Sequence, residues 1–403
     1  MLPRLVVRDA DGLPAWATPG VASPGGATPG TGAAQAAAQR AADLLARLDE
    51  QTAALPDDPA AARWADWTAV AWTWAELTAA AHETGDAALS EAARARRPRL
   101  DAAFAAWLGR GYAALAGRKL PQPHHVHHAP HLMAYERRAN DRPVALLVLD
   151  GLSLADWLRL RRVWQARHPG WAVAERGPLL AQIPTITAVS RQALVSGRPP
   201  AAFAASLGHN NKESAHWAAF WQAEGLVGRA VAYEHWRPGR ALPLAAQALC
   251  LIYTGLDDRL HGATQGAAEA WASLGVWLDG AGRDMATAVD ELVAAGFVVY
   301  VSSDHGHTEA WGIGRPREGE TAESRGQRSR LFRTRETAAA QQAKFPATVI
   351  REPDGVLPDG LWALLPTDQP QRGAFAPPYE LVVAHGGLTL DEVVVPLARI
   401  TAT

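Results

Sequence analysis

The sequence predicts an α/β protein in which a mostly parallel sheet is flanked by helices and preceded by an N-terminal helical region. Short apolar runs at Val144–Leu149, 249–253 and 297–301 have the length and composition of buried strands. Helices are predicted at 154–164, after the first run, and at 267–295, before the third. Strands that alternate with helices form a mostly parallel sheet covered on both faces.

Composition divides the chain into three parts. Residues 1–32 are rich in Gly, Pro, Ala and Thr without periodicity, which predicts a flexible leader. Residues 33–120 are rich in Ala, Leu, Arg and Glu, and their apolar residues recur at helical spacing, which predicts the helical region. Its tryptophans, such as Trp64, Trp67 and Trp74, are expected to fill helix interfaces. The third part, residues 143–403, contains the predicted sheet.

Overall composition narrows the class of protein. The chain has 403 residues, of which 48% are hydrophobic and 20% charged, as expected of a globular protein with two or three domains. No apolar run approaches the roughly 20 residues of a membrane span, and residues 1–30 lack a secretion signal, so we expect a cytoplasmic protein without membrane contact. Cys250 is the single cysteine, and its apolar surroundings predict a buried strand residue rather than redox chemistry.

Two local stretches are rich in basic side chains, although the net charge of −2 provides no overall field that would attract nucleic acid. The arginine-rich stretch 325–335 is a candidate for binding an anionic partner, and a solvated loop is the alternative interpretation. The tract from His124 to His131 contains five histidines. Because no cysteine or carboxylate lies near it in sequence, we interpret this tract as a loop between domains rather than a dedicated metal site.

Acidic residues and histidines follow these three apolar runs and a fourth at 381–384. In chain order these residues are Asp150, Asp257, His261, Asp304, His305 and His385. Asp257 and His261 are four residues apart, which brings them to one face if that stretch is helical. In a parallel sheet, ligands bind beyond the carboxyl ends of the strands, so these side chains are expected to meet.

Each of these motifs is weak alone, because an isolated Asp-Gly pair is usually a turn and a lone histidine is usually structural. Together they offer enough carboxylate oxygen and imidazole nitrogen for two metal sites with coordination positions left for substrate. Mixed oxygen and nitrogen ligands favour two zinc ions, with manganese as the alternative.

Two hydroxyl groups, those of Thr185 and Thr187, precede a helix-like segment between the first and second strands. The ordinary interpretation is that one of them caps the helix. The functional interpretation is that the helix N-terminus binds a phosphate while a metal-activated hydroxyl attacks it.

The segments 149–151, 184–187, 257–261, 303–306 and 385–387 resemble the alkaline phosphatase superfamily in order and spacing. Within it, residues 150–154, 190–194 and 385–396 are most similar to the PglZ family, which is associated with bacterial phage-defence systems called BREX. The resemblance covers residues 143–398. It implies that 143–403 is a catalytic domain with an alkaline phosphatase-like core.

The resemblance also implies a site. One metal ion would be held by Asp150, Thr187, Asp304 and His305, and the other by Asp257, His261 and His385. Thr187 would be the nucleophile, and Asp257 is preferred to Asp258 because the family pattern sets the acid four residues before the histidine.

The implied function is a metal-dependent phosphohydrolase, either a phosphodiesterase or a phosphatase. Its substrate would be a phosphate ester, with a nucleotide or nucleic-acid end among the candidates. Arg191, Arg198 and the stretch 325–335 are candidates for neutralising the phosphate. The resemblance further implies other phage-defence proteins as partners. The alternative is a non-catalytic scaffold subunit of a phage-defence complex, in which metal serves mainly for folding.

Overall fold

The computed structural model describes residues 31–58, 61–117, 122–319, 326–368 and 371–403. Residues 1–30 of the predicted leader lie outside the described residues, and so does Arg325 of the arginine-rich stretch. Residues 31 and 32 begin the first helix.

The N-terminal region consists of three long helices, α1 (Thr31–Ala53), α2 (Trp64–Thr84) and α3 (Ala87–Ala116). The turn between α2 and α3 has clear local causes. Gly85 ends α2 in the left-handed conformation, at φ 62°, which glycine adopts without strain. Asp86 then caps α3, because its carboxylate accepts hydrogen bonds from two backbone amides of the first turn.

Aromatic side chains fill the interface between α2 and α3, as the sequence predicted. Trp67 is fully buried against Phe104, with ring centroids 5.0 Å apart. Trp64 stacks on Trp107 at 5.6 Å. The interface thus gains both apolar burial and favourable ring geometry.

The rest of the chain alternates helices and strands. The helices are α4 (Ala129–Asn140), α5 (Leu154–Arg167), α6 (Thr187–Ser196), α7 (Glu213–Ala223), α8 (Gly255–Leu260), α9 (Ala267–Asp279), α10 (Ala281–Ala294), α11 (Arg335–Lys344) and α12 (Leu390–Val393), with short 3₁₀ turns at Val126–His128, Pro200–Ser206 and Gly228–Ala230. The strands are β1 (Val144–Leu149), β2 (Trp171–Glu175), β3 (Leu179–Leu180), β4 (Val231–His235), β5 (Ala248–Tyr253), β6 (Val298–Ser302), β7 (Thr308–Gly312), β8 (Arg330–Phe332), β9 (Thr348–Arg351), β10 (Trp362–Pro366), β11 (Gly373–Ala374), β12 (Leu381–Ala384), β13 (Val394–Val395) and β14 (Leu397–Ala402).

The main sheet has six strands in the order β2-β14-β6-β1-β5-β4. Strands β4, β5, β1 and β6 pair in parallel, and β14 runs antiparallel between β6 and β2. The predicted mostly parallel α/β fold is therefore confirmed. All six residues of β1 are buried, because it lies in the middle of the sheet.

Three predicted segments differ in detail from the structure. The second and third strands begin at Ala248 and Val298, within one residue of their predicted starts. The helix predicted over 267–295 is two helices, α9 and α10, separated at Gly280. Apolar periodicity continues through such a break, so the pattern alone did not reveal it.

The fourth apolar run, β12, is not a strand of the main sheet. It pairs antiparallel with β7 in a separate three-stranded sheet, β11-β7-β12. The expectation that all four runs end at one sheet edge is therefore wrong for this run. His385 therefore approaches the carboxyl ends of the main-sheet strands from the three-stranded sheet.

The histidine tract is not a loop between domains, contrary to the prediction. His125, His127 and His128 are buried, and part of the tract is a 3₁₀ turn. The ring of His125 hydrogen-bonds the carbonyl of Tyr112, and those of His127 and His128 hydrogen-bond the carbonyl of Ala116. Burial lowers the pKa of His125 well below its usual value. The tract therefore closes the C-terminal end of α3, where backbone carbonyls need partners.

A buried ion network joins the helical region to the rest of the chain. Both Nη2 and Nε of Arg372 donate to the carboxylate of Asp101 in α3, each at 2.8 Å. Nη1 of Arg372 also donates to Asp391 at 2.7 Å, and the other oxygen of Asp391 accepts a 2.7 Å bond from Trp74 in α2. Two helices of the N-terminal region are thus tied to the segment that follows His385.

None of the described helices combines the length and apolar character needed to cross a membrane.

Replacing Asp101 by alanine should lower the free energy of unfolding by about 3–5 kcal/mol, because it removes the main partner of a buried guanidinium. The measurement is urea unfolding of both proteins. Asp58→Ala is the control, since the pair of Asp58 with Arg110 is exposed and such pairs contribute only about 0–1 kcal/mol. Equal losses for the two variants would contradict the importance of the buried network.

Candidate metal centre

Asp and His side chains from four elements converge beyond the carboxyl ends of β1, β5 and β6. Asp150 follows β1 directly, Asp257 lies in α8 after β5, and Asp304 follows β6. All three carboxylates are buried. The sequence predicted this convergence, because neighbouring parallel strands end side by side.

The first cluster consists of Asp150, Asp304 and His305, whose donor atoms all lie within 4.8 Å of one another. His305 Nε2 is 3.5 Å from an oxygen of Asp150 and 3.9 Å from one of Asp304. The hydroxyl of Thr187, the first residue of α6, lies 3.1 Å from the same nitrogen. The structure therefore brings together the four residues predicted for one metal ion.

The second cluster consists of Asp257, His261 and His385, again with donor atoms within 4.8 Å. His261 Nε2 lies 3.2 Å and His385 Nε2 4.0 Å from the same oxygen of Asp257. The neighbouring residue Asp258 is exposed. The three residues predicted for the other metal ion are thus also adjacent.

The two clusters lie side by side. The rings of His305 and His385 stack with their centroids 3.9 Å apart and an angle of 11° between their planes. The donor atoms of the two clusters therefore form one continuous group.

Backbone carbonyls orient both stacked histidines. His305 Nδ1 hydrogen-bonds the carbonyl of Gly306 at 3.0 Å, and His385 Nδ1 hydrogen-bonds the carbonyl of Thr185 at 2.9 Å. Since a carbonyl only accepts, each Nδ1 carries the proton and each Nε2 has its lone pair directed into the clusters. The buried Nε2 of His385 makes no hydrogen bond within the described residues. This is the arrangement of histidines that bind a metal ion.

The protonation states also suit metal binding. Burial and the neighbouring ring of His385 hold the pKa of His305 well below its usual range, so its imidazole is neutral. Burial opposes ionisation of Asp257, but the contact with His261 and the neighbouring His385 outweigh it and hold the pKa of this carboxyl well below its usual range. A neutral imidazole at His305 and an ionised carboxylate at Asp257 are the forms that bind a cation.

Thr185 and Thr187 have different surroundings. The hydroxyl of Thr185 donates to the carbonyl of Gly387 at 3.1 Å and accepts from the amide of Gly386 at 3.0 Å. Thr185 therefore holds the loop that carries His385, whereas the hydroxyl of Thr187 faces the first cluster.

The two single arginines proposed to neutralise phosphate, Arg191 and Arg198, have different surroundings. Arg191 is buried and bonds Asp150 at 2.6 Å and Glu213 at 3.0 Å. Although burial opposes its charge, these acids raise the pKa of Arg191 well above its usual value. Arg198 is exposed beyond the C-terminal end of α6. The guanidinium of Arg191 is thus bound by acids of the site, and a role of Arg198 in neutralising phosphate stays a prediction.

Most of the arginine-rich stretch is also structured rather than a solvated loop. Arg328 is fully buried and binds Glu392 at 2.9 Å and Asp368 at 2.6 Å. Strand β8 begins at Arg330 and helix α11 at Arg335. Through Glu392, which accepts from the amide of Gly387 at 2.7 Å, Arg328 supports the loop that carries His385.

The sequence did not indicate the residues that support the segment before α6. The hydroxyl of Tyr112 in α3 donates to the carbonyl of Ala181 at 2.9 Å and accepts from the amide of Ile183 at 3.1 Å. The amide of Gln182 donates to the hydroxyl of Ser190 in α6. Helix α3 thus contacts the segment that leads to Thr187. Because these residues are far apart in the sequence, no local sequence pattern predicts the contact.

An α/β fold with paired Asp and His clusters beyond its parallel strands agrees with the alkaline phosphatase-like class that the sequence motifs resemble. Residues 130–400 match the family model described as the BREX system PglZ alkaline phosphatase-like domain. The chain therefore belongs to the PglZ family, as the sequence motifs indicated.

Several solved structures are similar to part of this chain at low sequence identity. Murine ectonucleotide pyrophosphatase/phosphodiesterase 5, in an inactive form in complex with AMP, is 12% identical over 64% of this chain and 87% of that chain, with a TM-score of 0.46. The human protein of the same name has the same four values. Phosphonoacetate hydrolase from Sinorhizobium meliloti, in complex with phosphonoformate, is 13% identical over 64% of this chain and 89% of that chain, with a TM-score of 0.37. No curated protein sequence matches the chain significantly.

Replacing Tyr112 by phenylalanine should destabilise the segment before α6, because two buried backbone groups lose their partner at a cost of about 1–3 kcal/mol each. Hydrogen–deuterium exchange of the peptide spanning residues 181–187 should accelerate more than that of β1. Tyr135→Phe is the matched control, since Tyr135 is exposed. Unchanged exchange at 181–187 would show that Tyr112 does not hold this segment.

Proposed function

We propose that this protein is a metal-dependent phosphohydrolase in which the two clusters hold two divalent metal ions and Thr187 is the nucleophile. The observation that supports the proposal most is the hydroxyl of Thr187, 3.1 Å from His305 Nε2 at the edge of the first cluster. The other candidate hydroxyl, that of Thr185, is bonded to the loop that carries His385.

The donor set fits such ions. Asp150, Asp304 and His305, together with Thr187, would hold one ion, and Asp257, His261 and His385 would hold the other. Three protein donors of carboxylate and imidazole type favour zinc, with manganese as the alternative, and leave positions for substrate oxygens. Bound divalent ions would lower the pKa of a coordinated hydroxyl and offset charge on a leaving oxygen.

The residues of this chain would then perform the following steps. The oxygen of Thr187 would attack the phosphorus of a phosphate ester as its hydroxyl proton is released, and the bond to the leaving oxygen would break, with that oxygen taking up a proton. Water would then hydrolyse the phosphothreonine, which releases the phosphate, or a phosphomonoester if the substrate is a diester, and restores the hydroxyl. Thr187 is the first residue of α6, so the N-terminus of that helix would lie beside the transferred phosphate.

The substrate class follows from the family alone. A phosphodiester, such as a nucleotide or a nucleic-acid end, is our first choice because the chain belongs to the PglZ family. A phosphomonoester would use the same donors. Membership of the family also supports a role in BREX phage defence, in the cytoplasm and with other proteins of that system as partners. The proposed catalytic domain comprises residues 143–403, and the helical region 33–120 precedes it.

Purified protein should bind two equivalents of zinc or manganese, and prolonged treatment with a chelator should abolish turnover. His261→Ala should reduce the stoichiometry to about one, because the first cluster keeps all of its donors. Elemental analysis and calorimetric titration measure both quantities. His209→Ala, at an exposed histidine, is the matched control. Active protein without metal would refute the mechanism, and an unchanged stoichiometry in His261→Ala would refute the assignment of that ligand.

Thr187→Ala should lower turnover by several orders of magnitude, as the loss of a covalent nucleophile does in other enzymes. Thr187→Ser, which keeps a hydroxyl, should retain far more activity. Thr185→Ala should lower stability more than turnover, because its hydroxyl bonds the His385 loop. The measurements are steady-state rates with an aryl phosphodiester and an aryl phosphomonoester, with metal content and melting temperature as controls.

The results of these measurements distinguish the two threonines as nucleophile, and an enzyme from a scaffold subunit. Near-normal turnover in Thr187→Ala together with an inactive Thr185→Ala would transfer the role to Thr185. Full activity in both variants would rule out a covalent threonine mechanism. Two bound ions without turnover of any ester would favour the scaffold subunit instead.

A further inference from the structure

One guanidinium is shared by both acids of the first cluster. Arg191 lies one turn after Thr187 in α6 and is almost fully buried. Its Nη1 is 2.6 Å from Oδ2 of Asp150 and 3.7 Å from Oδ2 of Asp304. The first cluster therefore contains a permanent positive charge supplied by the chain itself.

A third acid holds Arg191 from the opposite side. Glu213, the first residue of α7, accepts from Nε of Arg191 at 3.0 Å, and its other oxygen accepts from the hydroxyl of Tyr233. Both side chains of the Arg191–Glu213 pair are only 2% exposed. Because the planar guanidinium is fixed on two sides, it cannot turn towards a substrate.

The two clusters differ in the charge that they bury. The first contains two carboxylates, those of Asp150 and Asp304, whereas the second contains that of Asp257 and two imidazoles. Two converging buried carboxylates repel each other, and burying them without a cation is costly. The first cluster therefore needs a positive charge in order to stay assembled when no metal ion is bound.

We propose that Arg191 is a built-in counter-cation, a positioning residue that keeps Asp150 and Asp304 assembled in the metal-free protein. The bond to Arg191 engages Oδ2 of Asp150, while Oδ1 of the same carboxylate faces His305. Arg191 thereby directs a single oxygen of Asp150 into the cluster. The inference rests on the proposed metal sites, because it explains how the ligands of one site stay together when no ion is bound.

A consequence is that a divalent ion and Arg191 perform overlapping roles. With Arg191 present, folding does not require metal, and an ion adds to charges that are already partly balanced. Without Arg191, the ion is the remaining cation between the two carboxylates. Loss of Arg191 should therefore convert a protein that folds before it binds metal into one whose folding depends on metal.

The test compares melting temperatures of the full chain with chelator and with saturating Mn²⁺ or Zn²⁺. In chelator, Arg191→Met should melt lower than wild type by on the order of 5 °C or more. Adding the ion should recover most of this loss, so that the ion raises the melting temperature of the variant more than that of wild type. Arg191→Lys, which keeps the charge but not the planar fork, should lie between the two.

Arg372→Met is the matched control. Arg372 is equally buried and binds two acids, Asp101 and Asp391, that belong to neither cluster. Its loss should lower the melting temperature by similar amounts with and without the ion. If Arg191→Met behaves like Arg372→Met, Arg191 is an ordinary structural arginine and the proposal fails.

A double variant keeps the proposal testable if Arg191→Met does not fold without metal. Asp150→Asn added to Arg191→Met removes one of the two repelling charges, so the double variant should melt higher in chelator than Arg191→Met alone, or regain folding. A double variant that is no more stable would overturn the proposal. If wild type binds neither ion, the proposed function fails, and this metal-free comparison still decides whether Arg191 balances the acids.

Discussion

The bond between Asp150 and Arg191 joins the end of the central strand to the helix that begins with Thr187. Both partners are buried, so the contact is costly to break and cannot be replaced by water. Ser190, in the same helix, also bonds the backbone of Asp304. Strand ends and helix are therefore held as one unit, and the position of the hydroxyl of Thr187 depends on the carboxylates that it faces.

Support for the site comes from distant parts of the chain. On one side, Tyr112 in α3 holds the segment before α6. On the other, Thr185 and Glu392 bond the glycines that follow His385, and Arg328 binds Glu392 in turn. The clusters themselves are small, but their geometry depends on side chains from α3, from the segment before α6, from the segment before β8 and from α12.

The sequence predicted the central strands and the convergence of the acids that follow them, because buried strands are short apolar runs and parallel strands end side by side. The division of the donors between two clusters came from the family resemblance instead. The sequence did not predict that β12 belongs to another sheet, since an apolar run does not specify its partner. Nor did it predict that Arg191 is bound by acids or that His125 closes a helix. A charged or polar residue has the same local pattern whether it faces solvent or a buried partner far away in sequence.

The ion network of Arg372 has a consequence for how the molecule can be divided. The match to the PglZ family begins at residue 130, whereas Asp101 and Trp74 lie before it and reach into the network from α2 and α3. A fragment that starts at the family boundary would leave Arg372 without its bidentate partner and expose the apolar surface that α2 and α3 cover. The buried contacts that hold this network therefore extend beyond the family match, and insertions or fusions are better tolerated in exposed turns than at that boundary.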